Sequence, residues 1–225
     1  MKMKWTDLLS VAAIVAVVAL AAALYQSLPD AMPTSWDGRG VAAGFMPKAI
    51  GVAVYVALPI AIFVLLKVLP ALSPRGFRMG SFQPVTDIIT LAITAMLAGV
   101  DVAVLLAASG RNVPLVVVMH LLLGAFFIVL GNYLGKVRRN FFIGIRTPWT
   151  LASEEVWART HRFGSWVFVI AGLALVAVAW VPATPPARFP FTLLGVIGLA
   201  AVLVVVYSYV VYRGLHGKHT LGGAD

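Results

Sequence analysis

The chain has 225 residues, of which 61% are hydrophobic and 11% are charged. Soluble domains carry about a quarter charged residues, so this composition predicts an integral membrane protein and excludes a soluble enzyme or binding domain. The net charge of +9 fits basic loops that meet anionic lipid, and no direct nucleic-acid partner is expected.

Six apolar runs are long enough to form membrane-spanning helices, since one crossing needs about 20 apolar residues. In chain order they cover approximately residues 5–25, 49–69, 86–108, 114–134, 164–181 and 191–212. Their continuity argues against a β-barrel, whose strands alternate between apolar and polar residues. The predicted fold class is therefore all-α, a polytopic transmembrane bundle of about six helices.

The connections divide the chain into two predicted regions. Residues 1–70 form an N-terminal two-helix region with a polar loop, 26–48, whose prolines and glycines break a regular helix. Residues 71–225 form a four-helix region whose central loop, 131–163, is the longest polar interruption in the chain.

The basic residues divide unevenly between the two ends of the predicted bundle. The end with both termini and the central loop holds 13 of the 17 Lys and Arg residues, and the other end holds Arg39, Lys48, Arg111 and Arg188. Because cytoplasmic loops are enriched in Lys and Arg, both termini and the central loop are predicted to be cytoplasmic. The loop 26–48 then faces outward.

The central loop contains a proline-stiffened turn followed by a predicted helix. Pro148 fixes its own φ angle, and Thr150 is the predicted N-cap of an amphipathic helix from Leu151 to Phe163 that lies in the membrane interface. An interfacial anchor is one interpretation of this segment. A functional interpretation uses Arg146 to bind a phosphate or carboxylate and His161 to carry a proton.

The run GNYLGKVRRNFFIGIRTPWTLASEEVWARTHRFGS, residues 131–165, includes Gly131, Asn132, Asn140, Gly144, Arg146, Thr147, Pro148, Trp149, Thr150, Trp157 and His161. On these positions it resembles the defining segment of the SdpI family, bacterial membrane proteins typified by an immunity protein against a secreted toxic peptide. Upstream, the residues around the first loop resemble the small domain of unknown function that often precedes this segment: Leu28, Pro29, Pro33, Trp36 and Gly40.

The resemblance implies a multi-pass protein of the bacterial cytoplasmic (inner) membrane that protects against a membrane-acting peptide toxin. It also implies signalling, through a transcriptional repressor protein recruited to the cytoplasmic central loop. The motif positions from Asn132 to His161 are then candidates for partner binding, and Pro33, Trp36 and Gly40 are candidates on the outward loop. The lipid bilayer is the remaining partner, and the resemblance defines no oligomeric state.

Two polar residues inside predicted helices suggest a different function. Asp101 and His120 each lie about 10 Å from the turn between helices three and four, at a rise of about 1.5 Å per residue. An intramembrane acid normally faces the protein interior and has a partner, so the two are predicted to pair, with Arg111 near them. The pair is either a structural clamp or the polar centre of a small transporter or membrane enzyme. In a third alternative the protein is a scaffold, whose motif only positions helices four and five.

No catalytic, cofactor or metal motif is found. The chain has no HExxH, no P-loop and no glycine-rich dinucleotide turn, and it has no cysteine. His216 and His219 lack acidic or thiolate neighbours at ligand-like spacing, which makes a metal site unsupported. Asp87 is predicted to be a helix N-cap. We therefore expect a non-enzymatic protein without cofactor or metal.

Overall fold

The computed structural model describes residues 4–36, 41–72, 82–181 and 189–216, with the backbone alone at 189, 190 and 216. Its α-helices in chain order are α1 Trp5–Leu24, α2 Lys48–Val68, α3 Gln83–Ala108, α4 Leu115–Leu134, α5 Pro148–Ala152, α6 Glu154–Ala179 and α7 Phe189–His216. In these described ranges, six helices are long and apolar enough to cross a membrane, all except α5. The predicted all-α bundle is confirmed, and the chain is a multi-pass membrane protein.

A short hairpin joins α1 to α2, where the sequence suggested only an irregular loop. Strand β1, Ala31–Trp36, pairs antiparallel with β2, Ala42–Pro47. The prolines that argued against regular structure lie where a strand tolerates them, because Pro47 ends β2 and Pro33 adjoins a shift in register. Gly40, one of the predicted loop positions, lies outside the described residues.

The two ends of the bundle are called the hairpin end, which carries β1 and β2, and the motif end, which carries the connection between α4 and α6. At the hairpin end, Leu28 and Met32 are buried in one apolar cluster with Val104 and Leu105 of α3. At the motif end, the connection between α4 and α5 packs on the beginning of α3, where Phe82, Val137 and Trp157 share a second cluster.

Helices α4 and α6 pack closely through glycines. A Cβ atom at Gly124 would lie 2.8 Å from the carbonyl oxygen of Gly172, and one at Gly172 would lie 2.6 Å from the carbonyl oxygen of Gly124. Seven residues later on α4 and seven residues earlier on α6, a Cβ at Gly131 would lie 2.7 Å from the carbonyl oxygen of Ser165. Small residues let two backbones approach in lipid, where van der Waals packing drives helix association. This pair of helices forms the support for the central loop.

The predicted interfacial helix from Leu151 to Phe163 is wrong. Helix α5 ends at Ala152, and α6 runs without a break from Glu154 into the fifth span, about ten residues before its predicted start at Gly164. Ser153 interrupts the two helices and caps α6 by accepting a hydrogen bond from the N–H of Val156 at 3.3 Å. The polar residues of this segment therefore belong to the first turns of a spanning helix.

Candidate functional site

The central loop is built around the side chain of Asn140, which is fully buried. Its amide nitrogen donates to the carbonyls of Arg138 and Ile143 at 2.9 and 2.8 Å. Its amide oxygen accepts from the N–H groups of Phe142 and Ile143 at 2.8 and 2.7 Å. Since all four bonds go to the surrounding backbone, Asn140 shapes the turn and presents nothing to a partner.

His161 fastens the next part of the loop to α6. Its Nδ1 donates to the carbonyl of Trp157 at 2.9 Å, and its Nε2 accepts from the N–H of Ile145 at 3.0 Å. These partners require the neutral ring with its proton on Nδ1, because a carbonyl only accepts and an N–H only donates. The ring is fully buried and stacks on Trp157 at 4.0 Å between centroids, so the predicted proton-carrier role has no solvent-facing nitrogen to support it.

Trp157 and Gly144 complete this contact. The indole N–H of Trp157 donates to the carbonyl of Val137 at 2.8 Å. Gly144 has a φ of +119°, which side-chain-bearing residues rarely adopt. A Cβ there would collide with Nε2 of His161 and lie 3.1 Å from the Trp157 ring. Glycine is needed for both the turn and the close approach.

The Thr-Pro-Trp-Thr segment forms α5 through a reciprocal cap. Thr147 is the N-cap: its side chain accepts from the N–H of Thr150 at 3.2 Å, and the Thr150 hydroxyl accepts from the N–H of Thr147 at 2.8 Å. Pro148 occupies the first helical position, where no N–H is needed. The prediction that Thr150 is the N-cap is therefore wrong, because the turn begins three residues earlier.

Trp149 connects this segment to α7. Its indole N–H donates to the hydroxyl of Ser208 at 2.7 Å, and its ring packs edge-on against Tyr209 at 5.4 Å. At the opposite end of α7, the hydroxyl of Thr192 lies 3.0 Å from Nε2 of His120 on α4. These two polar contacts join α7 to α5 near one end and to α4 near the other.

The basic residues form the exposed rim of the loop. Arg146 is exposed and donates to the carbonyl of Phe141. Arg139 donates to the carbonyl of Leu151 at 2.9 Å and lies 3.4 Å from the carboxylate of Glu154. The other exposed cations of this rim are Lys136, Arg138, Arg159 and Arg162. Of the predicted site residues, Arg146 has the most accessible charge.

Asn132 is not part of this arrangement. Its side chain is exposed and donates to the carbonyl of Ile128 one helical turn earlier, at 2.9 Å. The remaining motif positions from Asn140 to His161 are brought together, by bonds to one another and to the backbone of the loop.

The predicted pairing of Asp101 with His120 is not observed. Both ring nitrogens of His120 have other partners, the carbonyl of Val116 at 2.8 Å and the hydroxyl of Thr192. Oδ2 of Asp101 has no hydrogen-bond partner among the residues that the structure describes. The residues on either side of Asp101 on this face of α3, Ala98 and Val104, pack in one cluster with Tyr55 of α2. The two residues lie at equal depth in the bundle, but they lie on helix faces that meet different neighbours.

The hairpin residues singled out from the sequence have different environments. Pro33 supplies the carbonyl that accepts the hydroxyl hydrogen of Tyr55. Trp36 is half-buried and lines an apolar cavity of about 170 Å³ between the hairpin and α3 and α4, together with Val104 and Met119. The hairpin is therefore fixed to the transmembrane helices by specific contacts.

Comparison with known proteins finds sequence similarity to two family models and to one curated protein. The model of the SdpI/YfhL protein family matches residues 136–208, and the model of a domain of unknown function, DUF1648, matches residues 12–63. Immunity protein SdpI of Bacillus subtilis (strain 168) is 29% identical over 200 residues, which cover 87% of this chain and 90% of that protein. This chain is similar to the SdpI family. No solved structure gives a significant match.

The SdpI family match begins at Lys136 and ends at Ser208, the residue that accepts the Trp149 indole hydrogen bond. It therefore contains the Asn140, His161 and α5 contacts described above, whereas Asn132 precedes it. The two matched regions lie on either side of the predicted boundary between residues 70 and 71, and the boundary itself stays a prediction.

Sequence reasoning missed a charge network at the motif end. Lys67 of α2 contacts the carboxylates of Asp7 on α1 and Asp87 on α3, the latter at 3.0 Å, and Lys4 contacts Asp87 at 2.6 Å. Asp87 is buried, and Phe82 is the N-cap of α3, so the N-cap prediction for Asp87 is wrong. The sequence did contain a signal for this network, since all four charged residues lie near the same end of helices one to three.

The described part of the chain contains no group of three His, Cys, Asp or Glu side chains arranged to hold a metal ion. The pair His216 and His219 stays untested, because the side chain of His216 and all of His219 lie outside the described residues.

Proposed function

We propose that this protein protects its cell against a membrane-acting peptide toxin. The observation that carries the proposal is the similarity to Immunity protein SdpI, which extends over 87% of this chain and 90% of that protein. A similarity over nearly the whole of both chains extends well beyond the central loop. It therefore supports a shared activity better than a match to the motif alone.

The structure suggests how the parts divide this work. The hairpin connects α1 and α2, and it exposes apolar side chains, among them Phe45 at 56% exposure. A peptide that acts on the membrane would meet this end first if the hairpin faces outward, as the distribution of basic residues predicts. The apolar cavity beside Trp36 lies directly behind it.

The central loop is proposed to act on the cytoplasmic side. Its inner contacts, around Asn140 and His161, fix the backbone, while its exposed arginines remain available for a partner with acidic groups. Recruitment of a transcriptional repressor would use this rim. In that case Arg146→Ala weakens recruitment, whereas Asn140→Ala disrupts the loop as a whole.

The decisive experiment uses Bacillus subtilis cells that lack their own SdpI and are exposed to the toxic peptide. We expect the intact protein to restore survival. Arg146→Ala is compared with Arg159→Ala at matched membrane levels, because both arginines are exposed and Arg159 pairs only with Glu155 among the contacts described for it. Failure of the intact protein to protect cells at full membrane abundance contradicts the proposal.

The orientation is tested separately with introduced cysteines, since the chain has none of its own. Phe45→Cys on the hairpin and Ala158→Cys in the first turns of α6 are both at exposed positions. We expect an impermeant maleimide to label Phe45→Cys in intact cells and Ala158→Cys only after lysis. The reverse pattern would place the hairpin in the cytoplasm.

The alternative function, a transporter or membrane enzyme built on Asp101 and His120, required the two residues to form one centre. His120 bonds to Val116 and Thr192, and Oδ2 of Asp101 has no hydrogen-bond partner among the described residues, so this part of the chain contains no such paired centre. The immunity proposal does not depend on this pair.

A further inference from the structure

Asp101 is a buried acid that the packing of the bundle does not explain. Its side chain is 3% exposed, and it lies seven residues before the end of α3, about 10 Å inside the helix. Within the described ranges, its Oδ2 atom has no hydrogen-bond partner. A carboxyl group at such a depth is costly and usually marks a functional position.

The neighbour of Asp101 leads to the hairpin. Tyr55 of α2 is 9% exposed and packs in one cluster with Ala98 and Val104, which lie three residues before and after Asp101 on α3. This packing brings the Tyr55 hydroxyl within electrostatic reach of the Asp101 carboxyl group. That hydroxyl donates its hydrogen bond to the backbone carbonyl of Pro33 in β1. Tyr55 therefore stands between a membrane-buried acid and the strand that begins the hairpin.

The first strand is docked tightly at this point. Met32 is fully buried, and a Cβ atom at Gly51 of α2 would lie 2.5 Å from the Cβ of Met32. The Met32 contact and the Tyr55–Pro33 hydrogen bond are adjacent along β1. Weakening either contact would therefore loosen the same part of β1.

Other titratable groups on the elements around α3 are engaged elsewhere. On α1 and α2, Asp7 and Lys67 belong to the network at the motif end, and Lys48 pairs with Asp30 before the hairpin at 3.4 Å. His120 of α4 bonds to Val116 and Thr192. The remaining charged groups at this end are Arg111, on the connection to α4, and three residues that lie outside the described ranges, Asp37, Arg39 and Arg188.

We propose that Asp101 is a proton-binding site that controls the docking of the hairpin. With the carboxyl group protonated, Tyr55 donates to Pro33 and the hairpin stays docked. When Asp101 releases its proton to the water at the hairpin end, the carboxylate becomes a stronger acceptor and competes for the Tyr55 hydroxyl hydrogen. Tyr55 keeps its proton throughout, and Pro33 loses its donor.

Cysteine accessibility in the full-length protein in membranes tests this inference independently of immunity. Met32→Cys reports undocking because the position is buried, and Phe45→Cys is the exposed reference that corrects for the pH dependence of the thiol reaction. We expect the maleimide labelling rate at position 32, divided by that at position 45, to rise about fivefold from mildly acidic to alkaline pH. Loss of one ordinary intramolecular hydrogen bond gives a change of about this size.

Two variants distinguish docking that is controlled by the proton on Asp101 from a general loosening of the hairpin. In an Asp101→Asn background the ratio should stay low and independent of pH, because the amide cannot lose a proton in this range. In a Tyr55→Phe background it should be raised and equally independent of pH, because the donor to Pro33 is gone. Leu28→Cys, at 3% exposure, provides a second reporter if Met32→Cys alters the docking. A ratio that is flat in the parent protein, or that rises equally with Asp101→Asn, overturns the proposal.

Discussion

The imidazole of His161 accepts a hydrogen bond from the backbone N–H of Ile145 at 3.0 Å while it donates to Trp157 in its own helix. One side chain thus joins the loop that follows α4 to the beginning of α6. The contact lies where the sequence suggested a ligand-binding or proton-carrying histidine. This part of the motif therefore holds the loop against α6.

His161→Ala is expected to destabilise the protein by about 1–3 kcal/mol, because the Ile145 N–H loses its acceptor and Trp157 loses its stacked neighbour. The measurement is the midpoint of thermal unfolding in detergent, together with the rate at which trypsin cuts the loop. Arg159→Ala is the control, since its pair with Glu155 is exposed. Equal behaviour of the two variants would contradict the structural role of His161.

Gly144→Ala is expected to be more damaging than Gly110→Ala. Both glycines have positive φ angles, +119° and +86°, so both substitutions introduce backbone strain of about 1–3 kcal/mol. Only at Gly144 does the new Cβ also meet His161 and Trp157, whereas nothing lies within 4 Å of a Cβ at Gly110. The difference between the two unfolding midpoints isolates the collision. If Gly110→Ala proved as damaging as Gly144→Ala, strain alone would account for both.

The sequence was sufficient to predict the spans, because apolar runs of about 20 residues have few alternatives in a membrane. It was less informative about helix boundaries in segments where polar side chains interrupt the hydrophobic periodicity. The start of α6 was placed at Gly164, since the polar residues from Glu154 onward resembled a loop, yet packing against α4 and the central loop keeps them helical.

The motif residues could be selected from the sequence, but their partners could not. Asn140 bonds to its own turn, and Trp149 bonds to Ser208, which lies 59 residues away. Such contacts depend on how helices rotate about their axes, which composition does not determine. The same uncertainty explains why Asp101 and His120, equal in depth, face different neighbours.

Gly172→Ala and Gly198→Ala are expected to change stability in opposite directions. A Cβ at Gly172 would lie 2.6 Å from the carbonyl oxygen of Gly124, so α4 and α6 must separate, at a cost of about 1–3 kcal/mol. A Cβ at Gly198 of α7 meets nothing within 4 Å, and alanine favours the helix by about 1 kcal/mol. Thermal unfolding of both variants provides the check, and a loss of stability with Gly198→Ala alone would refute the packing argument.

Lys67→Met is expected to destabilise the bundle more than Lys4→Met. Lys67 contacts two carboxylates, on α1 and α3, and its side chain is 29% exposed, whereas Lys4 contacts one carboxylate and is 44% exposed. Without Lys67, Asp7 loses the cation that joins it to α2, and an unpaired carboxylate at a helix contact is costly.

The test of this network is a double-mutant cycle of Lys67→Met with Asp7→Asn, followed by thermal unfolding. The double variant should lose less stability than the two single changes added together, because removing both partners leaves no unpaired charge. Arg159→Met, which breaks an exposed pair with Glu155, sets the scale for a surface ion pair, at most about 1 kcal/mol. Two results would contradict this expectation: additive losses of stability in the cycle, or a Lys67→Met effect no larger than that of Arg159→Met. Either result would mean that the four charges at the motif end act as independent surface groups and do not hold α1, α2 and α3 together.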